Sequence, residues 1–335
     1  MSGDQFSFET HRDEPSWSYA LEIVKSTLDI PTALPPLIKN CWSGLYKTPD
    51  FMHAIGFPGW APRSLMQAAN LLIEDGNGSV EDVERAVEAL GVRLAGVVVA
   101  VNFVCRAALM KRPTTELWAP LFRETMTAIE VGYHFGSIAP EIGVEGGILL
   151  GFSNNAGLTV LLANDPLIFG EWLAGRHAHD AHQRAIKTFG CEPYQVGALA
   201  LQQLGFGPEI ALAAALANGS LHHELIEVSP MVSTWKAGVN WVQALTRGIP
   251  FPTDTESRLA FKHLLPPQLD GSLAQELQGF HAQLAEIRGN SSAWTWHLPR
   301  ATYEETESYL AAPRKTTVKG KIWKTEKRRI TIEPR

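Results

Sequence analysis

The segment Arg176–His182 reads Arg-His-Ala-His-Asp-Ala-His and groups three histidines with an aspartate. On a helix, His177 would lie beside Asp180, and His179 beside His182, because residues three apart share a face. Imidazole and carboxylate groups bind divalent metals, so this spacing could form a metal site. A solvated helix face that follows a loop explains the same residues. We favour this second interpretation and predict no metal site here.

Other histidines and the cysteines offer little chemistry. We expect His222 and His223 to form a helix-end cap or a surface pair rather than a ligand set, and His134 to lie in the core or at its boundary. The cysteines are odd in number and widely spaced, so they predict neither a disulfide framework nor a paired metal motif. They are Cys41, Cys105 and Cys191.

A basic tail is attached to an acidic body. Residues 314–335 contain nine Lys or Arg and two Glu, a net charge of +7, whereas the whole chain carries −6, so residues 1–313 carry −13. Basic side chains beside an aromatic ring can contact phosphates and stack on a base, or dock on acidic protein surfaces. The candidate contact residues in the tail are Lys319, Lys321, Trp323, Lys324, Lys327, Arg328 and Arg329.

The tail has three competing roles and two competing structures. We favour docking on the acidic body or on a partner protein; nucleic-acid attachment and a solubilising role are the two alternatives. β-Branched residues near alternate positions in 316–322 and 328–332 fit a small hairpin, and a disordered tail fits equally well. The acidic body argues against general nucleic-acid binding by the rest of the chain.

Length and composition indicate a globular protein. The chain has 335 residues, of which 45% are apolar and 19% charged, enough to bury a sizeable core. The apolar run Leu94–Val104 is interrupted by Gly96 and Asn102 and is shorter than the roughly 20 residues that span a bilayer. The N-terminus is polar and has no signal-peptide core. We therefore expect a cytoplasmic protein that does not enter a membrane.

The stretch Ser79–Val101 predicts two helices that meet at Gly91. Apolar residues recur at i, i+3, i+4 and i+7 before Gly91, and the pattern restarts after it. Glycine adopts a positive φ without steric cost, which suits the end of a helix. Ser79 is the predicted N-cap. The second helix is apolar almost all round, which predicts a buried central position.

Helical periodicity recurs along the chain up to about residue 310, and alternation of period two is rare before residue 315. We expect Gly151–Gly157 to connect a segment ending at Leu150 to one beginning at Leu158. A histidine-rich helix is expected over residues 169–189. The predicted fold class is all-α, with helices packed around a shared core.

The order of several motifs over residues 28–225 resembles the HDOD domain (HD-related output domain) family. The first is Ala69-Asn70, similar to that family's Ala-Asn-Ser, and the second is the helix pair around Leu90-Gly91. Gly151-Phe-Ser-Asn-Asn-Ala-Gly stands where relatives have Gly-Leu-Leu-His-Asp-Ile-Gly. Phe189-Gly-Cys-Glu-Pro-Tyr-Gln-Val-Gly resembles their Phe-Gly-x-Asp-His-x-x-Val-Gly, and Gly205-Phe-Gly-Pro follows. The resemblance implies an HD-domain-like helical bundle and a regulatory role.

The same resemblance locates the positions of the metal ligands in HD phosphohydrolases. Those enzymes hold a divalent ion with His and Asp side chains, and the ion activates a water molecule. Here the His-Asp dipeptide is replaced by Asn154-Asn155, the earlier histidine position matches Glu124, and the later one matches Pro193. Neutral amides are poor substitutes and proline offers no ligand. The resemblance therefore implies no metal, no cofactor and no catalysis, and leaves Glu124, Asn154 and Asn155 as a vestigial pocket.

Four regions follow from this comparison. Residues 1–27 form a leader and first helix, 28–225 an HDOD-like helical domain, 226–312 a helical C-terminal extension and 313–335 the basic tail. The fold class is thus an HD-like helical bundle with a helical extension and a short tail.

The function implied by the resemblance is that of a bacterial regulatory or signal-transduction protein, a pseudoenzyme that acts by protein–protein interaction. The partner's identity and the oligomeric state stay open. One alternative is a divergent metal-dependent phosphohydrolase or nucleotide-binding sensor that uses Glu124, Asn154 and Asn155. A second alternative is nucleic-acid attachment through the basic tail.

Overall fold

The computed structural model describes residues 15–55, 60–72, 80–174, 181–217, 229–265 and 271–289. All regular structure in these ranges is helical, which confirms the all-α class. The histidine-rich segment up to Asp180, the pair His222-His223 and the whole basic tail lie outside the described residues. What the sequence predicts for those segments stays a prediction.

The described residues contain fifteen α-helices. In chain order they are α1 Pro15–Thr27, α2 Leu34–Trp42, α3 Thr48–Ala54, α4 Trp60–Leu72, α5 Val83–Leu90, α6 Val92–Met110, α7 Thr115–Ile138, α8 Gly143–Asn164, α9 Pro166–Leu173, α10 Ala181–Phe189, α11 Pro193–Gln203, α12 Pro208–Ala217, α13 Pro230–Thr246, α14 Thr255–Ala260 and α15 Gly271–Gly289. A short 3₁₀ helix, Lys262–Leu264, follows α14.

The helix pair α5–α6 forms as the sequence predicts. Gly91 joins the two helices with a φ of +74°, a conformation that side chains with a Cβ rarely adopt. α6 is buried along most of its length and packs against α2, α4 and α8. The predicted N-cap is wrong: the cap is Asp82, whose carboxylate accepts a hydrogen bond from the Arg85 N–H at 2.8 Å.

Asn70, in the Ala-Asn motif of the resemblance, has a structural role. Its side-chain Nδ2 donates to the backbone oxygen of Val80 at 3.0 Å, and its Oδ1 accepts from the Val80 N–H at 2.6 Å. One amide therefore satisfies both backbone groups of a residue just before α5. This contact fixes α5 against α4, and thus the start of the α5–α6 pair.

The central element is α8, and it is one continuous helix of 22 residues. The expected break at Gly151–Gly157 is wrong. Gly143, Gly147 and Gly151 recur every four residues, so they form one stripe along the helix. This stripe faces α7 so closely that the two backbones are in contact. A Cβ added to Gly147 would overlap the carbonyl oxygen of Gly132, and a Cβ added to Gly132 would overlap the carbonyl oxygen of Gly147. Here glycine serves close packing rather than a turn.

The close packing of α11 against another side of α8 also depends on glycine. A Cβ on Gly157 would overlap the carbonyl oxygen of Pro193, and a Cβ on Gly197 would lie 2.9 Å from the backbone nitrogen of Gly157. α8 is therefore held between α7 and α11 with its backbone close to both. α13 and α6 cover its remaining sides.

The helix expected over residues 169–189 is divided. α9 begins at Pro166, where the Asp165 carboxylate accepts from the N–H groups of Leu167 at 2.9 Å and Ile168 at 3.0 Å. α10 begins at Ala181, and residues 175–180 are not described. α7 begins at Thr115 and continues through Pro120 for 24 residues.

Two helices in the described residues, α6 and α8, are long and apolar enough to cross a membrane by length and composition alone. In the fold, 72% of the apolar window of α6 and 89% of that of α8 are buried inside the protein. Such burial is typical of the core helices of a folded protein. One hydrophobic core includes side chains from α1 to α15.

The glycine contact between α7 and α8 predicts the effect of a single methyl group. We expect Gly147→Ala to lower the free energy of unfolding by about 2–3 kcal/mol, because the added Cβ forces the two backbones apart. Gly279→Ala on α15 is the matched control, since a Cβ there meets no atom within 4 Å. Improved helix propensity should make that variant about 0.5–1 kcal/mol more stable. Equal stability of both variants in urea unfolding would contradict the packing argument.

Candidate functional site

One cleft gathers polar side chains from five helices. Its volume is about 620 Å³, and its walls come from α7, α8, α9, α11 and the C-terminal end of α13. The lining residues are Glu124, Ala128, Asn154, Asn155, Leu158, Trp172, Pro193, Tyr194, Gln243, Thr246 and Arg247.

The four positions that depart from the HD phosphohydrolase pattern all lie in this cleft. Glu124 is exposed at the rim, Asn154 and Pro193 are half-buried, and Asn155 is only 4% exposed. Both asparagines lie within the continuous helix α8, so they do not cap a loop. Asn155 continues the four-residue stripe of glycines that faces α7. The structure thus brings together the residues that the sequence grouped as a pocket.

Hydrogen bonds hold the two asparagines in place. Asn154 Oδ1 accepts from Gln243 Nε2 of α13 at 2.9 Å. The side-chain amide of Asn155 faces Thr125 on α7. In the amide orientation that forms hydrogen bonds, the Asn155 side-chain oxygen lies 3.3 Å from Thr125 Oγ1, and the side-chain nitrogen lies 3.2 Å from the backbone carbonyl oxygen of Asn154. These hydrogen bonds between neutral side chains fix the positions of both amides.

The N-terminus of α11 forms another wall, and it is capped by the protein itself. Glu192 and Gln195 form a capping box in which the Glu192 N–H donates to Gln195 Oε1 at 2.9 Å. Burial raises the pKa of the Glu192 carboxyl to about 7. The carboxyl therefore exchanges its proton near neutral pH, although it is not among the residues that line the cleft.

The donor set does not fit the divalent metal of HD phosphohydrolases. Glu124 is the one carboxylate among the lining residues, its partners at the ligand positions are the amides Asn154 and Asn155, and Pro193 has no donor atom. Transition metals prefer imidazole, thiolate and several carboxylates. In the part of the chain that the structure describes, no three His, Cys, Asp or Glu side chains are grouped as a metal site requires. No step through a bound metal follows from this arrangement.

The remaining candidates lie elsewhere. His134 is buried in α7, with its ring 5.4 Å from that of Tyr133, as expected for a core histidine. All three cysteines are buried and free, and burial raises the pKa of each thiol to about 12. Thiols with such pKa values stay protonated and are poor nucleophiles.

Sequence reasoning missed the wall that α13 contributes. Gln243, Thr246 and Arg247 lie in the region treated as an extension, beyond residues 28–225 where the resemblance was recognised. Trp172 and Tyr194 were also missed. The helical periodicity of residues 230–246 predicts which face of α13 is buried. It does not predict which helix packs against that face.

The raised pKa of Glu192 predicts a pH-dependent stability. The folded state keeps the proton up to about pH 7, whereas the unfolded chain loses it near 4.5, so stability falls as pH rises between these values. Glu192→Gln stays neutral and keeps a hydrogen-bond acceptor. We expect it to exceed wild type in stability at pH 8 by on the order of 1–2 kcal/mol, allowing for nearby solvent, and by much less at pH 4.5. Urea unfolding at both pH values measures this; an equal difference at both would show that burial does not perturb the carboxyl.

Comparison with known proteins adds evidence about the fold. No protein-family model matches the sequence, and no curated protein does. Two solved structures are similar. One, from Shewanella amazonensis SB2B, is described as a candidate phosphohydrolase; it is 16% identical with a TM-score of 0.54, and the match covers 84% of this chain and 98% of that one.

The other similar structure is an HDOD domain protein with unknown function from Geobacter sulfurreducens. It is 13% identical with a TM-score of 0.55, and the match covers 85% of this chain and 99% of that one. Both matches extend beyond residues 28–225, so they include helices of the C-terminal extension. At these identities the likeness concerns the fold alone, and it agrees with the sequence resemblance. The chain has an HDOD-like, all-α fold.

Proposed function

We propose that this chain is a non-enzymatic bacterial regulatory protein that acts by binding another protein. The observation that carries the proposal is the composition of the cleft. At the position of a catalytic metal in HD phosphohydrolases it has two amides, one of which is already hydrogen-bonded to Gln243 at 2.9 Å. An amide held by another amide is suited to fixing helices or to neutral hydrogen bonding rather than to activating water.

Exposed apolar side chains support a protein partner. On α9, Leu167 is 80% exposed and Ile168 41% exposed, and Ile186 on the neighbouring α10 is 39% exposed. We infer that these three side chains form one apolar patch, and such patches are typical of protein contacts. We take this group, Leu167, Ile168 and Ile186, as the partner surface. The basic tail is a second element that could reach an acidic partner.

A cytoplasmic location belongs to the same proposal. The three cysteines are free thiols buried in the core, which suits a reducing compartment.

Metal content and turnover test the non-enzymatic part of the proposal. We expect the purified protein to bind Mn²⁺ or other divalent ions no better than a control protein and to release no phosphate or nucleotide from phosphodiester substrates. Restoring the ligand pair with the double variant Asn154→His and Asn155→Asp should increase metal binding. Stoichiometric metal in the wild-type protein, together with turnover, would falsify the proposal and favour the divergent phosphohydrolase.

Partner capture tests the interaction part. From a lysate of the organism that encodes the protein, we expect the same protein partner with wild type and with Leu259→Lys, a control at an exposed residue of α14. Leu167→Lys should lose this partner, because a charged side chain replaces the apolar contact.

A variant that lacks residues 314–335 separates the role of the tail. Loss of the partner on deletion assigns the tail to the interaction. Capture that nuclease treatment abolishes, and that falls steeply with salt, would instead support nucleic-acid attachment through the tail. If Leu167→Lys and Leu259→Lys retain the same proteins, the α9–α10 surface is not the binding site.

A further inference from the structure

We propose that the cleft binds a small zwitterionic molecule, an apolar α-amino acid or a close relative, as a regulatory ligand. Binding without conversion rests on the non-enzymatic function proposed above. The charges at the rim of the cleft, a hydrogen-bond donor in its lining and its apolar wall support this inference.

The rim carries one charge of each sign. Glu124 on α7 and Arg247 at the end of α13 both line the cleft and are both exposed. Among the described residues, Arg247 makes no ion pair, so its guanidinium is available for a carboxylate. The two charges cancel, which favours a ligand with both an ammonium and a carboxylate group. A polyanionic ligand would face Glu124 with one cation to offset it.

The lining has a hydrogen-bond donor that the described residues do not use. Because Asn154 Oδ1 accepts from Gln243, the Nδ2 group of Asn154 is left to donate elsewhere. Asn154 is half-buried and lines the cleft, so this amide group can donate to a carboxylate oxygen of a ligand.

The wall between these groups is apolar. Leu158, Pro193 and Tyr194 are half-buried and line the cleft from α8 and α11. A volume of about 620 Å³ is within the range of small-molecule sites and has room for a branched or aromatic side chain. In the proposed complex, the apolar side chain of the ligand packs against this wall. Its ammonium group lies near Glu124 and its carboxylate near Arg247.

Calorimetry with matched probes tests the assignment. The amino acids are L-leucine, L-phenylalanine and L-tryptophan; tryptamine lacks the carboxylate and indole-3-propionate lacks the amine. We expect at least one amino acid to bind with a millimolar or lower dissociation constant, and tryptamine and indole-3-propionate to bind more weakly than L-tryptophan. Each removed charge should weaken binding about tenfold.

Two variants assign the charges. Arg247→Gln should weaken amino-acid and indole-3-propionate binding about tenfold and leave tryptamine unchanged. Glu124→Gln should weaken amino-acid and tryptamine binding and leave indole-3-propionate unchanged. Lys187→Gln, at an exposed position of α10 that does not line the cleft, is the control and should bind like wild type. Urea unfolding verifies that each variant is folded.

The outcomes separate this inference from the proposed function. Failure of all three amino acids to bind the folded protein overturns the inference and leaves the non-enzymatic function intact. Binding that neither Arg247→Gln nor Glu124→Gln weakens also overturns it, as does stronger binding of inorganic phosphate or a nucleoside monophosphate at the same residues. Chemical conversion of a bound amino acid by the protein would instead contradict the proposed non-enzymatic function.

Discussion

The close approach of α8 to its neighbours is the contact on which the fold and the cleft depend. Gly147 meets Gly132 of α7 on one side, and Gly157 meets Pro193 of α11 on the other, each at backbone distance. Backbones this close leave no freedom to rotate α8 without collision, since interiors are packed to crystal-like density. The rotation of α8 about its axis is thereby fixed, and with it the direction of every side chain that α8 presents.

That fixed rotation explains why the cleft forms where it does. Asn155 is the next member of the stripe Gly143, Gly147, Gly151, so it points towards α7, and Asn154 beside it points towards α13. At the glycines the helices approach closely, whereas the larger, polar side chains of Asn154 and Asn155 line the cleft. The cleft is thus the end of a tightly packed seam.

Much of this arrangement could be predicted from the sequence, and the remainder depended on long-range packing. The positive φ of Gly91 follows from a helical pattern that stops and restarts, and the grouping of Glu124, Asn154, Asn155 and Pro193 followed from aligned motifs. The glycines of α8 suggested a turn because glycine lowers helix propensity, although their four-residue spacing is that of a helix face. Which helix covers the cleft could not be predicted, because nothing local in α13 specifies its neighbour.

The hydrogen bond between Gln243 and Asn154 connects the cleft to α13. α13 packs on α12, α8 and α7, and its end supplies Arg247 to the rim. A ligand that binds to Asn154 and Arg247 therefore contacts α8 and α13 at the same time. It favours the relative position of these helices in which both contacts can form. Any surface that moves with α13 is coupled to ligand binding to the extent that the two positions differ in affinity. In the proposed regulatory function, this differential affinity couples the ligand in the cleft to the surface of the protein.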